Sequence, residues 1–330
     1  MTSLPAGWTL SASAFNLTPT VIEAGRPAPE IAASLVADGL ATDIEVELGQ
    51  LWRSFPQPTA AEAHALREDL AALGGRVSIV GGSIDEWAGP ARRRTDDERF
   101  DFLLPQLETT AALGATGLRL PLGQAGPALL ERLVPVLTDL DVVLFEEAQG
   151  SGSPSNPAFA PAYETLDRIA DPHVRLLLDI SMLMPELPVT YLDLLDRSDL
   201  PRDLLRRLRD DWADPATTGA VVEVLRSGAV PPSIHTLYMN LLVRFGRSRI
   251  DEVEPVLHLL SGAHLKFWDL DDADGRVTQP IRDLGAALRR SGFTGTLCSE
   301  WGGQEWLDDD PIETTRAHLA LARTALTSAA

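Results

Sequence analysis

Cysteine is nearly absent. The only one, Cys298, excludes an internal disulfide and suits a reducing, cytoplasmic setting. No window approaches the roughly 18 uninterrupted apolar residues of a membrane helix. The first residues, Met1 to Pro5, show no basic patch followed by an apolar stretch, so a soluble chain without a secretion signal is expected. Clustered Lys and Arg are also missing. A net charge of -20 opposes binding to a phosphate backbone, which excludes nucleic acid as the expected partner and leaves the acidic residues as a solvated surface. No strand-to-helix turn carries a Gly-x-Gly-x-x-Gly phosphate cradle, and no spacing of acid, base and Ser suggests a nucleophilic triad. The acidic run Asp269 to Gly275 fails as a calcium loop, because the positions that should bear ligands fall on Leu270 and Ile281.

What remains is ordinary globular material, 330 residues at 45% hydrophobic and 23% charged. Short apolar runs alternate with helical patterns. Strands are expected at Trp8 to Phe15, Asp43 to Leu48, Arg76 to Val80 and Gly117 to Leu122, then at 142–147, 174–179, 263–268 and 295–300. Between them lie helices such as Thr59 to Leu73, where Ala63, Leu66, Leu70 and Leu73 share a face. Others are expected near Phe100 to Leu113, Val253 to Leu260 and Thr314 to Leu326. Eight β-then-α units imply an α/β fold with parallel strands, a closed (β/α)8 TIM barrel forming a single domain over 1–330. One interval breaks the rhythm: after the sixth strand an extra segment, 185–248, is expected to form a helical lid or interface element on the catalytic face.

The last four strands share an unusual ending. Each apolar run finishes near a residue able to hold a divalent cation: Glu147, Asp179, His264 and Glu300. Desolvating a carboxylate costs several kcal/mol unless a counter-charge meets it, and strand ends of a barrel converge on one mouth. A shared metal ion supplies that counter-charge. A mostly oxygen set with one imidazole suits Mn2+ best, with Mg2+, Co2+ and Zn2+ as alternatives. Glu146 competes with Glu147, and strand alternation is the basis for preferring Glu147. Lys266 shares the face of His264 and would either polarise a carbonyl or pair with a barrel carboxylate. Arg119 invites a phosphate or carboxylate contact, or a structural ion pair. His235, in the extra segment, is a candidate acid or a packed residue; Trp268, Trp301 and Trp306 are candidates for stacking on a sugar face.

These motifs resemble those of the xylose isomerase-like TIM barrels, the sugar phosphate isomerases and epimerases. Glu147-Ala148-Gln149-Gly150 is similar to the family's Glu-x-His-Gly, with Gln149 where His is usual, and Asp179-Ile180-Ser181-Met182 to its Asp-x-x-His, with Met182 in the last place. His264-Leu265-Lys266 matches a His-x-Lys pattern, and Ser299-Glu300-Trp301-Gly302-Gly303 the terminal Ser-Glu-aromatic segment. The resemblance implies a metal held by Glu147, Asp179, His264 and Glu300. It also implies proton transfer beside a sugar carbonyl by Glu147 and Glu300, assisted by Lys266, with Arg119, Gln149, His235 and Trp301 as candidate substrate contacts. The expected activity is that of a metal-dependent sugar isomerase or epimerase. The His-x-Lys-Phe and Ser-Glu-Trp-Gly-Gly forms also look like those of C-glycoside deglycosidase catalytic subunits, which act as lyases on keto-glycosides with a small partner subunit. A third reading is a non-catalytic barrel that binds a sugar or a protein. The expected partner is a small carbohydrate, with a homo-oligomer or a small second subunit allowed, and no membrane.

Overall fold

The apolar runs close into one sheet. In the computed structural model, which describes residues 3–328, the strands are β1 (Trp8–Ser13), β2 (Asp43–Glu47), β3 (Arg76–Gly81), β4 (Gly117–Pro121), β5 (Val143–Ala148), β6 (Val174–Asp179), β7 (Leu260–Phe267) and β8 (Gly295–Trp301). All pair in parallel, in chain order, and β1 pairs with β8 to complete the barrel. This is the (β/α)8 architecture that the alternation of elements implies. No helix among the described residues is long and apolar enough to cross a membrane.

Side chains alternate across a strand, so every second residue points into the barrel. Ile79, Phe145 and Leu177 form a small interior cluster, distinct from the larger one between barrel and helices. Gly117 makes room for it, because a Cβ there would overlap the Phe145 ring. Two residues further along these strands the interior turns from apolar to charged: Arg119 follows Gly117, Glu147 follows Phe145 and Asp179 follows Leu177. The barrel therefore has an oily floor and an ionic mouth.

Helix starts are set by capping. Thr59 with Glu62 and Thr95 with Glu98 form reciprocal capping boxes that satisfy backbone N–H groups at the starts of Ala60–Ala72 and Asp96–Leu113. The second helix thus begins ahead of the expected Phe100, because its polar first turn precedes the apolar face. The helix expected at Val253 to Leu260 is a short turn, Ile250–Val253, then the 3-10 segment Glu254–Leu259. Pro255 withholds a backbone donor there, which disfavours a continuous α-helix, and β7 begins at Leu260 instead of Ala263.

The connection from β6 to β7 carries helices Val189–Asp196, Arg202–Asp210, Pro215–Arg226 and His235–Val243. They bury an apolar cluster of their own, with Tyr191 and Trp268 set edge-on to Phe245 at ring separations of 4.8 and 4.9 Å. This unit is fixed to the barrel mouth. The Gly246 N–H donates to the Ser181 carbonyl at 2.7 Å, and the Gly150 N–H donates to the Ser181 hydroxyl at 3.0 Å. Gly246 lies so close to Met182 that no Cβ would fit. Val243 and Arg244 are thereby held at the edge of the mouth.

His318, in the helix Pro311–Ser328, is fully buried behind β8. Its ring stacks on Phe267 at 3.8 Å and its Nδ1 lies 2.8 Å from the Ser299 hydroxyl. Burial holds its pKa down to about 3. The unfolded chain binds a proton here near pH 6.5 and the folded chain does not, so the folded state is favoured above that pH and loses the advantage as pH falls towards 3. Stability of the wild type should fall by on the order of 1 kcal/mol per pH unit from this group alone between pH 6 and 4. Denaturant unfolding of wild type and His318→Gln over that range tests the expectation; parallel slopes would contradict it.

Candidate metal centre

Four consecutive strands bring four candidate ligands together. Glu147 ends the inward row of β5, Asp179 closes β6, His264 lies within β7 and Glu300 precedes the last residue of β8. One ligand atom of each lies within 4.8 Å of those of the others, and all four residues are buried. Glu146, its rival in sequence, points the other way: its carboxylate accepts the Gly123 N–H, and burial raises its pKa to about 7. Glu147 is the one that clusters with Asp179, His264 and Glu300.

The donor atoms fit a divalent cation. His264 Nε2 lies 2.9 Å from Glu45 Oε2, an arrangement that holds the imidazole with its proton on that nitrogen and its Nδ1 free. Glu147 Oε1 and Glu300 Oε2 approach Nδ1 to 2.9 and 3.1 Å, yet Nδ1 makes no aligned hydrogen bond. Asp179 uses Oδ1 to cap the turn Ile180–Leu183 through the Ser181 N–H at 2.7 Å, while its Oδ2 is buried without a partner. A free imidazole nitrogen facing carboxylate oxygens is repulsive unless a cation or a proton lies between them.

Charge points the same way. The carboxylates of Glu45, Glu47, Glu147, Asp179 and Glu300 face two permanent cations, Arg119 and Lys266. Arg119 lies 2.8 Å from Glu147 Oε2, pairs with Glu47, and approaches Glu300 at 3.6 Å and Glu45 at 3.8 Å. Lys266 Nζ donates to Glu300 Oε2 at 3.0 Å. Burial would raise Glu147, but Arg119 and His264 hold it below the usual carboxylate value. Burial opposes charge on His264 as well, but the carboxylates of Glu300, Glu45 and Glu147 drive its pKa well above normal. Burial raises Asp179 to about 6 in spite of Lys266.

Above the ligands opens a cleft of about 550 Å³, within the usual range of small-ligand pockets. Arg119, Gln149 and Lys266 line it together with Glu147 and Glu300. His235 and Trp301 do not. Trp301 is fully buried, its indole N–H donating to the Trp268 carbonyl at 2.9 Å, because alternation turns it away from the face of Glu300. His235 is exposed at the start of its helix. Of the tryptophans, Trp268 borders the cleft, whereas Trp306 donates to the Thr190 hydroxyl and leans on Tyr191. Missed from sequence were Glu45 and Glu47, whose alternation in Asp43-Ile44-Glu45-Val46-Glu47 is the signal of two carboxylates on one interior face.

No family model matches the chain. It is 26% identical over 333 residues to a C-glycoside deglycosidase alpha subunit of Arthrobacter globiformis, covering 98% of this chain and 94% of that protein. Among solved structures, D-psicose 3-epimerase aligns with a TM-score of 0.55 at 13% identity, covering 97% of this chain and 99% of that one. The 3-keto-D-glucoside 4-epimerase of E. coli aligns with a TM-score of 0.53 at 14% identity, covering 96% and 99%. The proteins it resembles are thus enzymes acting on sugars, and the first of them is named as an alpha subunit. In fold the chain is a (β/α)8 barrel similar to those of the two epimerases, and in sequence it is similar along nearly its whole length to a C-glycoside deglycosidase alpha subunit.

Proposed function

We propose that the chain is a divalent-cation-dependent enzyme that moves a proton on the carbon next to a sugar carbonyl, and that its physiological reaction is the elimination of an aglycone from a keto-glycoside. The observation that carries the proton transfer is the convergence of Glu147, Asp179, His264 and Glu300 beneath a cleft also lined by Lys266. The likeness in sequence to a deglycosidase alpha subunit supports the elimination.

Glu147, Asp179, His264 and Glu300 would hold the cation, with Mn2+ as the preferred ion. Bound there, it would stabilise the negative charge that develops on the carbonyl oxygen when the neighbouring carbon loses its proton. The chain's own groups do the rest. The carboxylate of Glu147 or Glu300 accepts the carbon-bound proton, and the other lies across the site to return one. Lys266 Nζ, poised on Glu300, can donate to the enolate oxygen. Arg119 keeps Glu147 ionised. Gln149 offers an amide where a substrate hydroxyl would lie. In the elimination, the carbon between the carbonyl and the glycosidic carbon loses a proton, a sugar double bond forms, and the bond to the aglycone breaks. Its electron pair leaves with the aglycone, which takes up a proton.

A second reading, an isomerase or epimerase, uses the same first step and returns the proton to the sugar; the fold likeness to D-psicose 3-epimerase favours it. A small second subunit accompanies the first reading, in keeping with the name of the relative. Metal-loaded protein should exchange the proton beside the carbonyl of a 3-keto-glycoside with solvent deuterium and release the free aglycone. Chelator-treated protein should do neither, and re-addition of Mn2+ should restore both. Exchange that survives complete metal removal would refute the mechanism, and exchange without aglycone release would favour the second reading.

A further inference from the structure

The mouth has a second lobe. Beside the ionic cleft lies a cavity of about 360 Å³ whose walls include Phe15, Gly49, Phe55 and Gly82, with Glu47 its one charged residue. Phe15 and Glu47 border both spaces, so the two meet across these side chains. The lobe belongs to the β1 to β3 side of the barrel, across from the helices between β6 and β7.

The two spaces suit different chemistry. The first is rimmed by charges and the Gln149 amide, which match hydroxyl and carbonyl groups; the second offers the rings of Phe15 and Phe55 and the backbone of Gly49, Gly81 and Gly82, with Ser83, Thr18 and Gln50 also on its wall and the Gln50 amide donating to the Thr18 hydroxyl at 3.1 Å. Phe55 is held edge-on by Phe102 at 5.9 Å, and Phe15 lies under Lys266 Nζ at 5.2 Å, so both rings are positioned by neighbours. Gly81 keeps the boundary thin, because a Cβ there would overlap the Glu47 carboxylate, which instead lies against the strand and pairs with Arg119. A free monosaccharide bears hydroxyls on nearly every carbon and would gain little from such walls. A flat apolar group attached to a sugar would bury its surface there.

We propose that this lobe is the subsite for a planar apolar aglycone, with the sugar over Glu147 and Glu300 and the bond between them passing beside Glu47. The assignment rests on the keto-glycoside reading above.

Gly49 is the handle. A Cβ at this position would meet nothing nearer than the Phe55 ring at 3.9 Å, so a larger side chain has space at the lobe wall. The test measures solvent deuterium exchange at limiting concentration for two keto C-glycosides, one with a phenyl and one with a methyl substituent. Exchange precedes departure of the substituent, so it reports binding rather than leaving-group ability. Wild type should favour the phenyl compound by about tenfold or more. Gly49→Leu should bring the ratio close to one, and Phe55→Ala, which empties the wall instead of filling the lobe, should lower it as well. A wild type that treats the two alike, or variants that keep its preference, would overturn the lobe assignment and leave the proton transfer standing. No exchange with either compound in the metal-loaded wild type would overturn both.

Discussion

Glu300→Gln is expected to lower kcat/KM for proton exchange by about a thousandfold and to weaken cation binding in the same variant. Two roles meet in this carboxylate. It contributes one of the four clustered ligand atoms and it receives the Lys266 ammonium at 3.0 Å. Glutamine keeps the shape and loses the charge, so the effect separates chemistry from fold. Exchange rates with a keto-glycoside and titration of metal content check it together. A variant that keeps near-wild-type turnover would remove Glu300 from the reaction, and one that loses turnover with an unchanged thermal midpoint supports the account.

Arg119→Met should instead act on stability, lowering it by roughly 3–5 kcal/mol. Arg119 is 12% exposed and contacts Glu147 and Glu47, with Glu300 and Glu45 close by. Burial already raises Glu47 against the pull of Arg119, so removing the guanidinium leaves several buried carboxylates without a fixed counter-charge. Methionine fills much of the volume and supplies no charge. A cation that binds only the folded state should recover part of the loss, because ligand binding to the native form stabilises it by mass action. Thermal unfolding with and without Mn2+ gives both numbers. An unshifted midpoint in the variant, or no recovery by the ion, would contradict the electrostatic picture of the mouth.

The barrel was legible because its signals are local and repeated. Short runs such as Val174 to Leu178, apolar but for Arg175, read as buried strands because they are too brief for helices, and the helices between them show one apolar face. The clustering of Glu147, Asp179, His264 and Glu300 was legible for a related reason: carboxylates at the ends of such runs are out of place unless something compensates them. Alternation also chose Glu147 over Glu146. Applied one residue further, the same rule would have turned Trp301 away from the face of Glu300, and applied to β2 it would have found Glu45 and Glu47. His235 was beyond reach, since its position depends on how four helices fold against one another around Tyr191 and Phe245. His318 was hidden for a similar reason, because its burial comes from Phe267 and Ser299, both far from it in sequence.

The claim on which the rest depends is that one cation sits among these four side chains. X-ray data collected at the manganese absorption edge on crystals of the Mn2+-loaded protein test it directly. A single anomalous peak bounded by Glu147, Asp179 Oδ2, His264 Nδ1 and Glu300 is the predicted result. No peak there, with Nδ1 closed by a proton shared with Glu147 or Glu300, would contradict the account.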